Sequence, residues 1–411
     1  MPIRPLTRAF AAVALAVTMI GSNTVFAAHQ PWASCLPTAW PADGALLVDD
    51  DQVLSVDGMP MAISPDGKWL AGPGSGIDRE FCLWDVETLT PQCADAGSSL
   101  PVTLETVTWA PDSSAVAFSL DATVRFVDSD IFVMDIDGTL HNITDDGFDG
   151  RLSLSGDGPE VPVDIYPAWS RDSRELVFAR TVWGLEAPGT ALYAIGRDGG
   201  APTLRFAVSP EEPFLVFSPM HWLDDGSILF SVIHTDQENS QNGVWKLGAS
   251  GSVTKVVAGA MANDVPMPFV SDVSPDGTQA TIFSLALAGQ RRYEGGTDGK
   301  PIYFVADLAT GALSPIQEDD PQPGTGIGSV GSFLPDGATI VSVQWYGGRS
   351  MLVFSRLDGT VMGTADLPEA ALMPVANCGV SVADDGTIFI PVRWRDDADP
   401  HNGLILAPGD S

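Results

Sequence analysis

The chain has 411 residues, and 53 Asp and Glu against 20 Lys and Arg leave a formal net charge of −33. So acidic a surface repels phosphate backbones and anionic headgroups, which argues against nucleic-acid and membrane-surface partners. Beyond the N-terminus no stretch approaches the roughly eighteen consecutive apolar residues of a membrane helix, so membrane insertion is not expected.

Residues 1–27 read as a Sec-type signal peptide. Arg4 and Arg8 precede an apolar run over residues 9–20, and small residues lead to Val25-Phe26-Ala27, with cleavage expected before Ala28. The mature chain, 28–411, is expected to be exported to the periplasm or the cell exterior. Four cysteines, Cys35, Cys82, Cys93 and Cys378, suit an oxidising compartment and two disulfides. Three connectivities are open. We expect Cys82 with Cys93, across two short strands, and Cys35 with Cys378, tying the chain ends together. No CxxC or clustered His accompanies them, so zinc ligation is disfavoured.

From residue 61 onward the chain repeats itself. Ile63-Ser64-Pro65-Asp66-Gly67-Lys68-Trp69-Leu70 reads as strand, tight turn, strand: Pro65 presets φ, Asp66 accepts from backbone N–H groups, and Gly67 takes the left-handed conformation. Degenerate copies centre on Asp66, Asp112, Asp172, Asp225, Asp276, Asp336 and Asp385, at intervals of 46 to 60 residues. In most copies a third strand follows a variable loop, as in Ile131-Phe132-Val133-Met134, and a second turn such as Asp137-Gly138 leads to a short fourth strand. Continuous apolar strands suit sheets packed on both faces. An all-β, seven-bladed propeller follows, with six or eight blades as alternatives. The last copy ends on its third strand, Gly403-Leu404-Ile405-Leu406, and its outer strand can come from residues 44–48 or 52–56 near the N-terminus. An unpaired sheet edge is an aggregation liability, which gives that closure a physical motive.

Ser64-Pro65-Asp66-Gly67, Ser274-Pro275-Asp276-Gly277 and Trp109-Ala110-Pro111-Asp112 resemble the repeat of TolB-like, WD-like propellers. The resemblance covers the repeats alone. Ser113 and Ser173 replace the turn Gly, and Arg171, Asp224 and Asp384 replace the turn Pro, changes expected to weaken those turns by about 1 kcal/mol or less each.

In a propeller the first-to-second and third-to-fourth turns share one face, and the second-to-third loops and inter-blade connections share the other. The varied loops of the second face are where function is expected. They and the adjoining strand ends hold Arg125, Arg180, Arg291, Arg292, Arg349, Arg393 and Arg395, with Trp183, Tyr293, Trp345, Tyr346 and Trp394. A guanidinium fork suits carboxylate or phosphate, and an aromatic face suits a sugar or peptide side chain. From these, Arg291, Arg292, Tyr293, Trp345, Tyr346, Arg349, Arg393, Trp394 and Arg395 are the candidate ligand-binding set. The competing reading pairs each Arg with one of the many Asp and packs each aromatic under its loop.

Asp145-Asp146-Gly147-Phe148-Asp149-Gly150 and Asp396-Asp397-Ala398-Asp399 offer hard oxygen ligands for calcium but match no helix-flanked twelve-residue loop, so solvated acidic loops without a cofactor are favoured. No GxSxG or HExxH is present, and the five His have no ligand spacing. Gly326-Ile327-Gly328-Ser329-Val330-Gly331 spells GxGxxG, but no helix is expected after it. The sequence thus predicts an exported, noncatalytic binding or scaffold propeller for a protein, peptide or carbohydrate. The competing class is a secreted carbohydrate-active lyase or hydrolase at the central channel, with His221, His234 and His401 as its only metal-ligand candidates.

Overall fold

A computed structural model describes residues 53–55, 60–74, 80–97, 104–120, 128–148, 160–183, 190–207, 215–216, 219–233, 239–259, 265–284, 302–316, 331–346, 349–366, 371–374, 380–394 and 402–406. These form seven antiparallel sheets and no helix. The first sheet runs Ala62–Ile63, Trp69–Pro73, Glu80–Asp85 and Pro91–Asp95; the second runs Leu104–Trp109, Ala115–Leu120, Ile131–Asp135 and Leu140–Asn142. The third, Val161–Trp169, Glu175–Trp183, Thr190–Gly196 and Gly199–Ala207, has the longest strands. The fourth runs Leu215–Val216 and His221–Trp222, Ile228–Ile233, Gly243–Leu247 and Val253–Ala258; the fifth Pro268–Val273, Gln279–Ser284, Tyr303–Asp307 and Leu313–Pro315; the sixth Ser332–Phe333, Thr339–Tyr346, Arg349–Arg356 and Val361–Asp366. Each of the seven sheets contains one of the repeated hairpins. In the seventh, Ile388–Trp394 pairs with Asn402–Leu406, and Val53–Ser55 adds the outer strand with Leu54 opposite Gly403. The outer strand thus comes from the second of the two N-terminal segments expected; residues 44–48 lie outside the described residues.

The hairpin turns follow their chemistry. Gly67 N–H donates to Ser64 O at 2.9 Å with Gly67 at φ +73°, and Ser64 Oγ donates to Asp66 Oδ1 at 2.7 Å. The same two bonds recur in the turns of Asp172 and Asp276. Ser113 and Ser173 take the left-handed conformation at φ +59° and +58°. Their presence is not a simple weakening. Ser113 Oγ accepts from Asp66 N–H at 3.0 Å, and Ser173 Oγ accepts from Asp112 N–H at 3.2 Å, so each hydroxyl ties its turn to that of the preceding sheet. A Gly would relieve the backbone and lose the tie.

Among the described residues, seven apolar clusters lie between neighbouring sheets. Ala71, Phe81 and Leu83 of the first sheet meet Val116, Phe118 and Met134 of the second, with the Phe81 and Phe118 rings stacked at 3.9 Å. Further round, Phe230 and Val232 of the fourth sheet meet Val163 and Val177 of the third. Phe389 and Ala383 of the seventh sheet pack on Ile63, Leu70 and Trp84 of the first, where Asp384 N–H also donates to Pro65 O at 2.7 Å. A strand covered on both faces is largely apolar: all six residues of Ile228–Ile233 are buried, and the polar one, Ser231, accepts from Val270 N–H at 2.9 Å. Tryptophans on the inner strands add polar ties: Trp169 Nε1 donates to Thr108 O at 3.0 Å and Trp109 Nε1 to Ala62 O at 3.4 Å. Cys82 and Cys93 stand opposite each other in adjacent strands and form a disulfide, as expected. Cys35 and Cys378 lie outside the described residues.

Candidate functional site

On the loop face, beside the junction of the second and third sheets, three chain segments converge. Residues 128–130 lead into Ile131–Asp135, residues 142–148 follow the outer strand of the same sheet, and Asp164 sits in the inner strand of the third sheet. Ser129 joins the first segment to the third: its carbonyl accepts from Asp164 N–H at 2.7 Å and its hydroxyl donates to Asp164 O at 2.8 Å. Thr144 joins the second to the first, its Oγ1 accepting from Ile131 N–H at 2.9 Å. Asp128 and Asp130, which flank Ser129, are thereby drawn inward, to 7% and 6% exposure. Asp145 and Asp146 shape the turn beside them, accepting from Gly147 N–H and Phe148 N–H at 2.8 Å each, with Gly147 at φ +82°.

Asp164 is 1% exposed and lies opposite Arg180 in its hairpin. Arg180 grips it bidentately, Nε to Oδ1 and Nη2 to Oδ2 at 2.6 Å each, and its guanidinium lies over the Phe178 and Tyr193 rings at 5.4 and 5.3 Å. Asp164 nevertheless keeps a raised pKa, because burial outweighs the Arg180 bonds that pull it down. Asp130 is pushed up to about 6 by burial, opposed by Asn142 Nδ2, which donates to its Oδ2 at 2.7 Å. Burial, then the charges of Asp130 and Asp146, push Asp128 up to about 8. Its Oδ1 is buried with no hydrogen-bond partner.

The anticipated Arg and aromatic set is described only in part. Arg291, Arg292, Tyr293 and Arg395 lie outside the described residues, as do Arg125, His234, His401 and residues 149–150 and 396–399 of the two acidic loops. Trp345, Tyr346 and Arg349 are placed by backbone alone: Thr339–Tyr346 and Arg349–Arg356 form a hairpin with Tyr346 opposite Arg349. Arg393 and Trp394 end Ile388–Trp394, opposite Met373 and Ala371. Of the cations named from sequence, Arg180 is the one whose side-chain partners the structure describes, and it is an ion-paired one. Asp145 and Asp146 belong to the acidic stretch noted from sequence; Asp128 and Asp130 were missed. The signal available for them was two acids flanking Ser129 immediately before an apolar strand.

A cavity between three sheets offers a second location. Inner-strand residues of the fifth, sixth and seventh sheets, among them Ser271, Asp272, Ser332 and Ser381, line a cavity of about 330 Å³. Asp272 is pushed up to about 6 by burial, yet both its oxygens are occupied, Oδ1 by Val273 N–H and Oδ2 by Phe333 N–H at 2.8 Å each. That is a clamp between neighbouring sheets. His221, in the inner strand of the fourth sheet, is depressed to about 4 by burial and stays neutral near pH 7.

No protein-family model matches the chain, and no curated protein does. Among solved structures it resembles TolB from Acinetobacter baumannii, with 16% identity and a TM-score of 0.44, covering 75% of this chain and 63% of that one. A prolyl endopeptidase is similar at 12% identity and a TM-score of 0.50, covering 87% and 51%. The Dos1 propeller is similar at 10% identity and a TM-score of 0.45, covering 82% and 80%. The chain spans about half to two thirds of the first two proteins. At these identities the likeness speaks to the fold alone, and with the seven antiparallel sheets that fold is a β-propeller.

Proposed function

We propose that the chain is an exported, noncatalytic binding or scaffold propeller whose loop face receives a protein, peptide or carbohydrate. The observation that carries this reading is the contrast between the faces. The turn face is short, repetitive and hydrogen-bonded to itself through Ser113 and Ser173, whereas segments of unequal length meet on the loop face, with Arg393 and Trp394 at a strand end. Variable loops on a rigid scaffold are where recognition concentrates. The Cys82–Cys93 disulfide and the signal-like N-terminus support export. The enzyme reading has Asp272 at the cavity between three sheets in its favour. Against it stands the occupation of both Asp272 oxygens by backbone donors.

The test is a thermal-shift screen of the purified protein with peptides and acidic oligosaccharides, run beside Arg393→Ala and Trp394→Ala. A ligand that binds only the folded state raises its melting temperature. A rise that both variants lose supports the binding face. Turnover of an oligosaccharide abolished by Asp272→Asn would replace this reading with the enzyme.

A further inference from the structure

The carboxylates of Asp128, Asp130 and Asp146 each offer an oxygen, and these oxygens all lie within 4.8 Å of one another. That separation is the diameter of a calcium coordination shell, about twice the 2.3–2.6 Å of a Ca–O bond. Two of the three residues are more than nine-tenths buried, and the buried Oδ1 of Asp128 has no donor. Buried carboxylates are ordinarily paired or bound to a cation. Arg180, a described cation whose charge acts on Asp130, spends its fork on Asp164 and is held there by two bonds of 2.6 Å. We propose that Asp128, Asp130 and Asp146 form a calcium site that pins residues 142–148 to the 128–130 segment at the junction of the second and third sheets.

The donor set selects the ion. It contains oxygen alone, which disfavours zinc and other metals that prefer nitrogen or sulfur ligands. The segments are irregular loops and one residue is exposed, so the shell can be completed by water at variable geometry, which calcium accepts and magnesium resists. Neighbouring groups are arranged to hold the ligands still. Asn142 Nδ2 fixes Asp130 Oδ2, Phe148 N–H fixes Asp146 Oδ1, and the two Ser129 bonds anchor the backbone between Asp128 and Asp130. Such outer contacts orient ligands in metal sites generally. The site does not depend on which ligand the loop face receives.

The experiment is calorimetric titration of the chelator-treated full chain with CaCl2, together with melting curves at about 1 mM CaCl2, a concentration at which extracellular calcium modules bind. One calcium per chain with a raised melting temperature is expected. Asp128→Asn should weaken calcium about tenfold or more, and so should Asp146→Asn, which alters an exposed residue and leaves the fold intact. Asp225→Asn, at a surface turn of the fourth sheet, should leave calcium binding unchanged. No binding, binding and stabilisation retained in both site variants, or equal stabilisation by MgCl2 would each overturn the assignment. Retention in both variants would assign the effect to diffuse surface charge.

Discussion

Asp66, Asp112, Asp172 and Asp276 on the turn face and Asp128, Asp130 and Asp164 on the loop face are the same residue type in opposite circumstances. Asp172 and Asp276 are solvent-facing and accept from their own turns, and their pKa values are lowered by Ser and backbone donors. In Asp66 and Asp112 those donors overcome partial burial. On the loop face burial wins, and all three carboxyls are raised. Where the chain repeats, local hydrogen bonds satisfy each acid. Where segments of unrelated sequence are packed together, the acids are satisfied only by partners that the tertiary structure delivers.

The sharpest way to break this contrast is to remove such a partner. Arg180→Met leaves Asp164 buried and uncompensated, and should lower unfolding stability by about 3 kcal/mol; Asp164→Asn added to it should recover much of the loss, read as urea midpoints. On the turn face the corresponding change is smaller. Ser173→Ala removes the bond to Asp112 N–H while keeping a side chain at φ +58°, and should cost about 1 kcal/mol, whereas Ser173→Gly trades that bond against backbone relief and should be nearly neutral. Equal losses from Ala and Gly would remove the tie from the account.

Between the faces, Asp272 tests the burial argument by pH. Its folded pKa of about 6 exceeds the ordinary 3.8, so its contribution favours the fold fully below about pH 4 and is lost as pH rises through about 6. The melting temperature of the parent relative to Asp272→Asn should therefore fall from pH 4 to pH 7; a flat difference would show that the carboxyl does not titrate in that window. The smallest effect belongs to the exposed turn pair. Lys246 holds Asp225 at 2.8 Å and depresses it to about 2, but Asp225 is 58% exposed. Lys246→Met should cost a few tenths of a kcal/mol, and less still in high salt.

The sequence by itself determined the repeat. A turn such as Ser64-Pro65-Asp66-Gly67 is specified within four residues, and an apolar strand such as Ile228–Ile233 announces burial on both faces. Pairing of Cys82 with Cys93 was legible for the same reason, since their strands are consecutive and only 11 residues separate them. Residues far apart in sequence were decided by tertiary structure alone. Nothing local in Ser113 or Ser173 reveals that its hydroxyl reaches the preceding turn, 47 or 61 residues away. Likewise Asp128-Ser129-Asp130 reads as a polar loop until Ser129 is joined to Asp164, 35 residues on, and both flanking acids are drawn out of water. Turn chemistry acts over a few bonds and can be read along the chain. Desolvation depends on everything that surrounds a group, and only the packed sheets decide it.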